Sequence, residues 1–114
     1  MPYILFFDQI SNTDVAVVGG KNASLGEMYC NLSEQGIRVP FGFATTAHAY
    51  RTFLTQSGLI EPLTQLLTTL DPNDLNSLST VAQKIRTLIL NSPLPKVLTD
   101  AITEGYRTLS AHYN

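Results

Sequence analysis

The sequence predicts an α+β fold in which short β-strands are followed by a mostly helical remainder. Three observations predict it. Tyr3 to Phe7 (YILFF) is an unbroken apolar run, the mark of a short strand buried on both faces. Ile37, Val39, Phe41 and Phe43 alternate with other residues at the period of a strand. From Ala47 onward apolar residues recur every three or four positions, the period of amphipathic helices.

Each element follows from local chemistry. The first strand stops at Asp8, and the polar run Ser11-Asn12-Thr13-Asp14 predicts a loop between Gln9 and Asp14. Val15 to Val18 is a second short apolar stretch, leading into Gly19 and Gly20. Ala23, Leu25, Met28, Tyr29 and Leu32 then predict a helix over about Asn22 to Gln35, with Gly36 where a left-handed C-terminal cap belongs. Pro40 lacks the N–H that a central strand must donate, so Ile37 to Phe43 is an edge strand or extended segment. Thr45 or Thr46 caps the next helix, whose apolar face includes Ala47, Tyr50, Phe53 and Leu54 and which Gly58 stops.

Three further helices are predicted. One covers Leu59 to Leu70 and ends at Asp71-Pro72. The next is capped by Asn73 or Asp74, carries Leu75, Leu78, Val81, Ala82, Ile85, Leu88 and Ile89 on one face, and ends at Ser92-Pro93. The last runs from Pro95 through Val97, Leu98, Ala101, Ile102 and Tyr106 to about Ser110. A two-stranded sheet is marginal by itself. The unit therefore reads as incomplete, with further sequence expected to follow.

Composition narrows the function classes. The 114 residues suit one domain or a piece of one. Charged residues are 14% of the chain, against about 25% in ordinary globular proteins. The surface is thus either neutral-polar or made for contact. A net charge of −2, with seven scattered Lys and Arg, offers no basic footprint for nucleic acid. One cysteine, Cys30, excludes an internal disulfide and fits a reducing compartment, and Cys30, His48 and His112 are too few for a zinc site. The N-terminus lacks the basic start and apolar length of a signal peptide, and no run approaches the roughly 20 apolar residues of a membrane span. A soluble, cytoplasmic protein is expected.

The stretch "DVAVVGGKNASLGEM", Asp14 to Met28, is where chemistry concentrates. It matches neither common phosphate loop. In the pattern G-x-x-x-x-G-K-[ST], the first glycine would fall at Val15 and the final hydroxyl at Asn22; in G-x-G-x-x-G, adjacent Gly19 and Gly20 do not fit. Two readings of Lys21 stay open on residue types alone. Lys21 is a solvated charge at a strand-to-helix turn in which Gly19 and Gly20 take positive φ. Or it joins the amides of a helix start in binding an anion.

The stretch "VGGKNASLGEM", followed by "NLSEQGIRVPFGFATTAHAYRTFL", resembles the N-terminal segment of phosphoenolpyruvate synthases and, more loosely, of pyruvate phosphate dikinases. The likeness extends through the helical remainder to Ala111. It implies the start of an ATP-grasp-type nucleotide-binding domain over residues 1–114, with Lys21 a ligand of the ATP phosphates. By position, Gly19 and Gly20 shape the turn, while Asn22 and Ser24 present amide or side-chain donors; Glu27 is an ordinary polar-face residue. The complete enzymes pass a phosphoryl group from ATP, with Mg2+, to a histidine on a swivelling domain and on to pyruvate in a barrel domain. Water takes the remaining phosphate in the synthase reaction, which yields phosphoenolpyruvate, AMP and phosphate. Those later domains and the Mg2+ ligands are expected outside this chain, and His48 and His112 are not credible phosphoryl carriers. The chain is therefore expected to be the ATP-binding opening of such an enzyme, too short to catalyse alone, with the remainder of the enzyme or another protein as partner. The alternative is a stand-alone, non-catalytic binding or interaction module derived from that domain.

Overall fold

Ile4–Phe6 forms β1 and Phe43–Thr45 forms β2 in the computed structural model, which describes all 114 residues. The strands pair antiparallel, with Ile4 opposite Thr45, Leu5 opposite Ala44 and Phe6 opposite Phe43, and make a two-stranded sheet. The α+β expectation holds. The first strand is shorter than YILFF and its residues are half-buried rather than enclosed on both faces. A turn of 3-10 helix over Phe7–Gln9 ends it, and the Gln9 Oε1 accepts the Phe6 N–H at 2.9 Å.

The predicted loop is a second 3-10 turn, Asn12–Asp14, and the apolar stretch Val15–Val18 is a helical turn, α1, rather than a strand. Ser11 and Asp14 account for both. The Asp14 carboxylate accepts the Ser11 N–H at 3.0 Å while the Ser11 carbonyl accepts the Asp14 N–H at 3.0 Å, which closes a turn that α1 continues. After Gly19 the long helix α2 spans Gly20–Ser33. It ends as predicted: Gly36 takes φ +81°, Ile37 N–H reaches the Leu32 carbonyl and Gly36 N–H that of Ser33.

The chain divides into two compact units, residues 1–51 with 96–114, and residues 52–95. In the first, Ile10, Val18, Ala23 and Ala44 form the core, with Leu5, Phe7 and Val17 packed on it. Ile10 is its centre at 1% exposure. It lies against the backbone of α2 at Gly26, where an added Cβ would stand 2.5 Å from the Ile10 Cβ. The last helix, α6 (Lys96–Tyr113), meets the sheet at Gly105, beside the Ile4 and Phe43 side chains. Thr46, not Thr45, starts α3 (Ala47–Gln56): its buried hydroxyl accepts the Ala49 N–H at 3.1 Å and donates to the Pro2 carbonyl at 2.8 Å. α6 runs three residues past its expected end, and the Tyr113 hydroxyl accepts the Phe41 N–H at 2.6 Å.

In the second unit α4 spans Ile60–Thr68 and α5 spans Leu75–Leu90. Asp74 caps α5 by accepting the Asn76 N–H at 2.9 Å. Leu59 and Val81 are buried here, while Leu75 and Leu90 are 80% and 82% exposed. No helix is long and apolar enough to cross a membrane.

Cys30 sits half-buried on α2, its Sγ 3.6 Å from the Phe7 carbonyl, 3.7 Å from that of Asp8 and 3.9 Å from that of Ile10. A thiol can donate to such a cluster; a thiolate is repelled by it. Burial pushes the Cys30 thiol above its ordinary range, and the carboxylates of Asp8, Glu27 and Glu34 push the same way. Because the folded value is raised, the stabilisation is fully present below the unfolded thiol's pKa and fades as pH rises through the folded one. Iodoacetamide is expected to alkylate Cys30 several-fold more slowly in the folded chain than in urea at mildly alkaline pH. The half-maximal rate should fall at a higher pH in the folded chain. Equal pH profiles would remove the effect.

Candidate functional site

Gly19 is the break between α1 and α2, and its backbone shows why glycine stands there: φ is +85°, a conformation L-residues rarely adopt. Gly20 does not share it. The expectation of positive φ at both glycines fails because Gly20 is already the first helical residue, at normal helical geometry. The helix thus begins two residues earlier than the apolar periodicity indicated, and Lys21 lies in its first turn.

The ladder of α2 opens with the Ala23 N–H on the Gly19 carbonyl at 2.9 Å. The amides of Gly20, Lys21 and Asn22 precede that bond and have no acceptor in the chain. Gly19, Gly20, Lys21 and Ser24 are exposed and Asn22 is half-buried. The Lys21 ammonium forms no salt bridge, and α2 has no acidic residue in its first turn. A cation there opposes the positive end of the helix dipole, an arrangement unfavourable by roughly 0.3–1 kcal/mol with nothing in the chain to offset it.

The remaining predicted site residues divide. The Asn22 side chain is occupied, its Nδ2 donating to the Val18 carbonyl at 2.9 Å and so tying α1 to α2; its backbone amide remains free. Ser24 keeps a free, exposed hydroxyl, but its amide has entered the helical ladder. Glu27, read as an ordinary polar-face residue, in fact pins the second 3-10 turn to α2, because its carboxylate accepts the Asn12 N–H at 3.0 Å and the Asn31 Nδ2 at 3.1 Å.

Three grooves lie elsewhere. A groove of about 690 Å3 is walled by Tyr29, Arg38, Phe41, His112 and Tyr113; one of about 270 Å3 lies beside Ile4, Phe6 and Glu104; one of about 780 Å3 lies between α4 and α5 near Leu66, Lys84 and Leu88. Residues 19–24 line none of them. His48 stacks on Tyr3 with ring centroids 5.1 Å apart, and His112 packs on Phe41 at 4.6 Å, so both imidazoles pack on aromatic faces. No group of three or more His, Cys, Asp or Glu side chains stands together. These side chains do not supply the donor set for a protein-held divalent metal.

Comparison with known proteins places this geometry. Residues 15–114 match the family described as pyruvate phosphate dikinase, AMP/ATP-binding domain. The chain belongs to that family. Phosphoenolpyruvate synthase from Synechocystis sp. is 46% identical over 110 residues, which is 96% of this chain and 13% of the relative. The enzyme of that name from Neisseria meningitidis serogroup B is 47% identical over 109 residues, and that from Escherichia coli K12 46% over 110; each alignment covers 96% of this chain and 14% of the relative. The chain thus spans about one-seventh of the length of these relatives, at their nucleotide-binding N-terminal segment.

Proposed function

We propose that this chain is the opening of an ATP-grasp-type domain and that Lys21 contacts the polyphosphate of ATP. One observation carries the reading: a lysine held at the positive end of α2 without any carboxylate partner, beside the free amides of Gly20, Lys21 and Asn22. The arrangement costs stability in the empty chain and is relieved by an anion. Departures of that kind from local electrostatic rules collect at functional sites. Gly19 and Gly20 bring the backbone close, and the Ser24 hydroxyl and Asn22 amide are within the same turn. Magnesium enters this reading as part of the nucleotide substrate, since the chain offers no cluster of ligands of its own.

In a complete enzyme the lysine would neutralise charge on the phosphates during transfer toward a histidine carrier and then pyruvate, giving phosphoenolpyruvate, AMP and phosphate. This chain alone is proposed to bind ATP weakly and to turn none over, the carrier and acceptor sites being proposed to lie in the other six-sevenths of the relatives' length, which it does not span.

Lys21→Gln separates the reading from a merely solvated lysine. The substitution is expected to raise the stability of the ligand-free chain by a few tenths of a kcal/mol, because it removes a cation from a helix N-terminus. It should also weaken MgATP binding roughly tenfold, the loss of one charged hydrogen bond. In wild type, MgATP should shift the amide resonances of residues 20–22 before any others. Absence of binding by wild type, equal affinity of the variant, or shifts centred on another surface would each defeat the assignment.

A further inference from the structure

We infer that Asn22 is a positioning residue for the nucleotide site: its carboxamide takes the Val18 carbonyl that its own backbone amide would otherwise bond, and so leaves that amide free for phosphate. The inference deepens, and rests on, the proposal that Lys21 and the amides of residues 20–22 meet polyphosphate. A competition for one acceptor, set up by the bend at Gly19, carries it.

Only Gly19 separates α1 (Val15–Val18) from α2 (Gly20–Ser33). In one continuous helix the amides of Gly20, Lys21 and Asn22 would bond the carbonyls of Ala16, Val17 and Val18, and the cluster of free amides would vanish. Gly19 makes the bend possible. Its φ of +85° and ψ of 162° lie in a region that is essentially reserved for glycine. An added Cβ there would meet nothing within 4 Å, so the glycine supplies a backbone angle and not room.

Glycine permits the bend but does not hold it, since it reaches helical angles as readily. The holding group is on residue 22. Val18 is 7% exposed, and a carbonyl so placed needs a donor. Asn22 carries two candidates: the backbone N–H, which would restore the helix, and Nδ2, which takes the carbonyl at 2.9 Å. Because the side chain occupies the acceptor, the backbone N–H stays unpaired at the positive end of α2. Asn22 is half-buried beside exposed Lys21 and Ser24, so its carboxamide faces protein while its amide is left for a ligand.

The test is hydrogen exchange on the full 114-residue chain, isotopically labelled, with and without MgATP. In wild type the Asn22 backbone amide should exchange at nearly the open-chain rate, while its side-chain NH2 is slowed and stays slowed when MgATP binds. Asn22→Leu, similar in size and without a donor, should slow the residue-22 backbone amide about fivefold or more as that amide turns to the Val18 carbonyl, and should weaken MgATP about fivefold. Mere loosening of the turn would leave that amide fast. Gly19→Ala disfavours the bend and should have the same two effects with Asn22 intact. The inference is overturned if the residue-22 amide of Asn22→Leu exchanges as fast as in wild type, or if that variant binds MgATP equally well. It is also overturned if MgATP frees the Asn22 side chain from Val18, which would make it a ligand. Should Asn22→Leu not fold, the same amide in Gly19→Ala decides. Absence of MgATP binding by wild type defeats the Lys21 reading and the site with it, whereas fast exchange at residue 22 of Asn22→Leu defeats the Asn22 role alone.

Discussion

Gly26→Ala is expected to lower the melting temperature of the chain by roughly 10 °C or more, corresponding to about 3 kcal/mol. An added Cβ would lie 2.5 Å from the Ile10 Cβ, 2.6 Å from its Cγ2 and 2.7 Å from its backbone oxygen. Two of those atoms belong to or adjoin the main chain and cannot swing aside, so α2 must move off the core. Ile10 is the most deeply buried large side chain, and separating α2 from it opens the centre of the first unit. Alanine gains about 1 kcal/mol over glycine in a helix interior, which is too little to offset the displacement. Gly20→Ala is the matched control: it is helical, meets nothing within 4 Å, and should be neutral or slightly stabilising. Thermal unfolding of the two variants within about 0.5 kcal/mol of each other would refute the packing argument. Gly105→Ala should fall between them, because its nearest neighbour at 2.5 Å is the Ile4 Cδ1, the free end of a side chain.

Thr46→Val is expected to cost about 2–3 kcal/mol. The hydroxyl does two things at 4% exposure: it accepts the N–H of Ala49, which is itself buried, and it donates to the Pro2 carbonyl. Valine keeps the shape but removes the cap, leaving the buried Ala49 N–H without an acceptor, and it also removes the donor to the Pro2 carbonyl. Thr46→Ser keeps the hydroxyl and should lose less than about 1 kcal/mol. The neighbouring exposed Thr45 should tolerate valine within about 0.5 kcal/mol. Chemical denaturation of the three variants checks the order; a Thr46→Val chain as stable as Thr45→Val would show that Thr46 does not cap α3.

These two sites differ in how far sequence alone reveals them. Thr46 belongs to a Thr-Thr pair ahead of an apolar helical period, so a cap is foreseeable and only the choice between neighbours needs coordinates. Gly36 and Gly58 are equally legible, because a glycine just past a periodic run has one common use, and both take positive φ at helix ends. Gly26 is less clear. A glycine within a helical pattern signals a close approach of something, but the partner, Ile10, comes from a segment that reads as loop.

The candidate site shows the same division. The unusual lysine after two glycines is visible at once, and the ligand class proposed for it comes from the family resemblance. Hidden are the helix start at Gly20 and the helical nature of Val15–Val18, which three valines and an alanine disguise as a strand. Ser11-x-x-Asp14 ahead of an apolar run is the available signal for a helical turn. Glu27 offers none, since its partner amide at Asn12 depends on a packing that periodicity does not encode.

The first unit is interrupted. Its opening 51 residues and its closing helix are separated in the chain by the whole of residues 52–95. During synthesis, at about 5–20 residues per second, the small sheet must therefore wait roughly several seconds before the helix that packs on it emerges from the ribosome. Until then the two strands lack the helix that packs on them, and the intervening helices have time to form first. The order of folding is thus written into the order of translation, with the closing helix of the first unit added last.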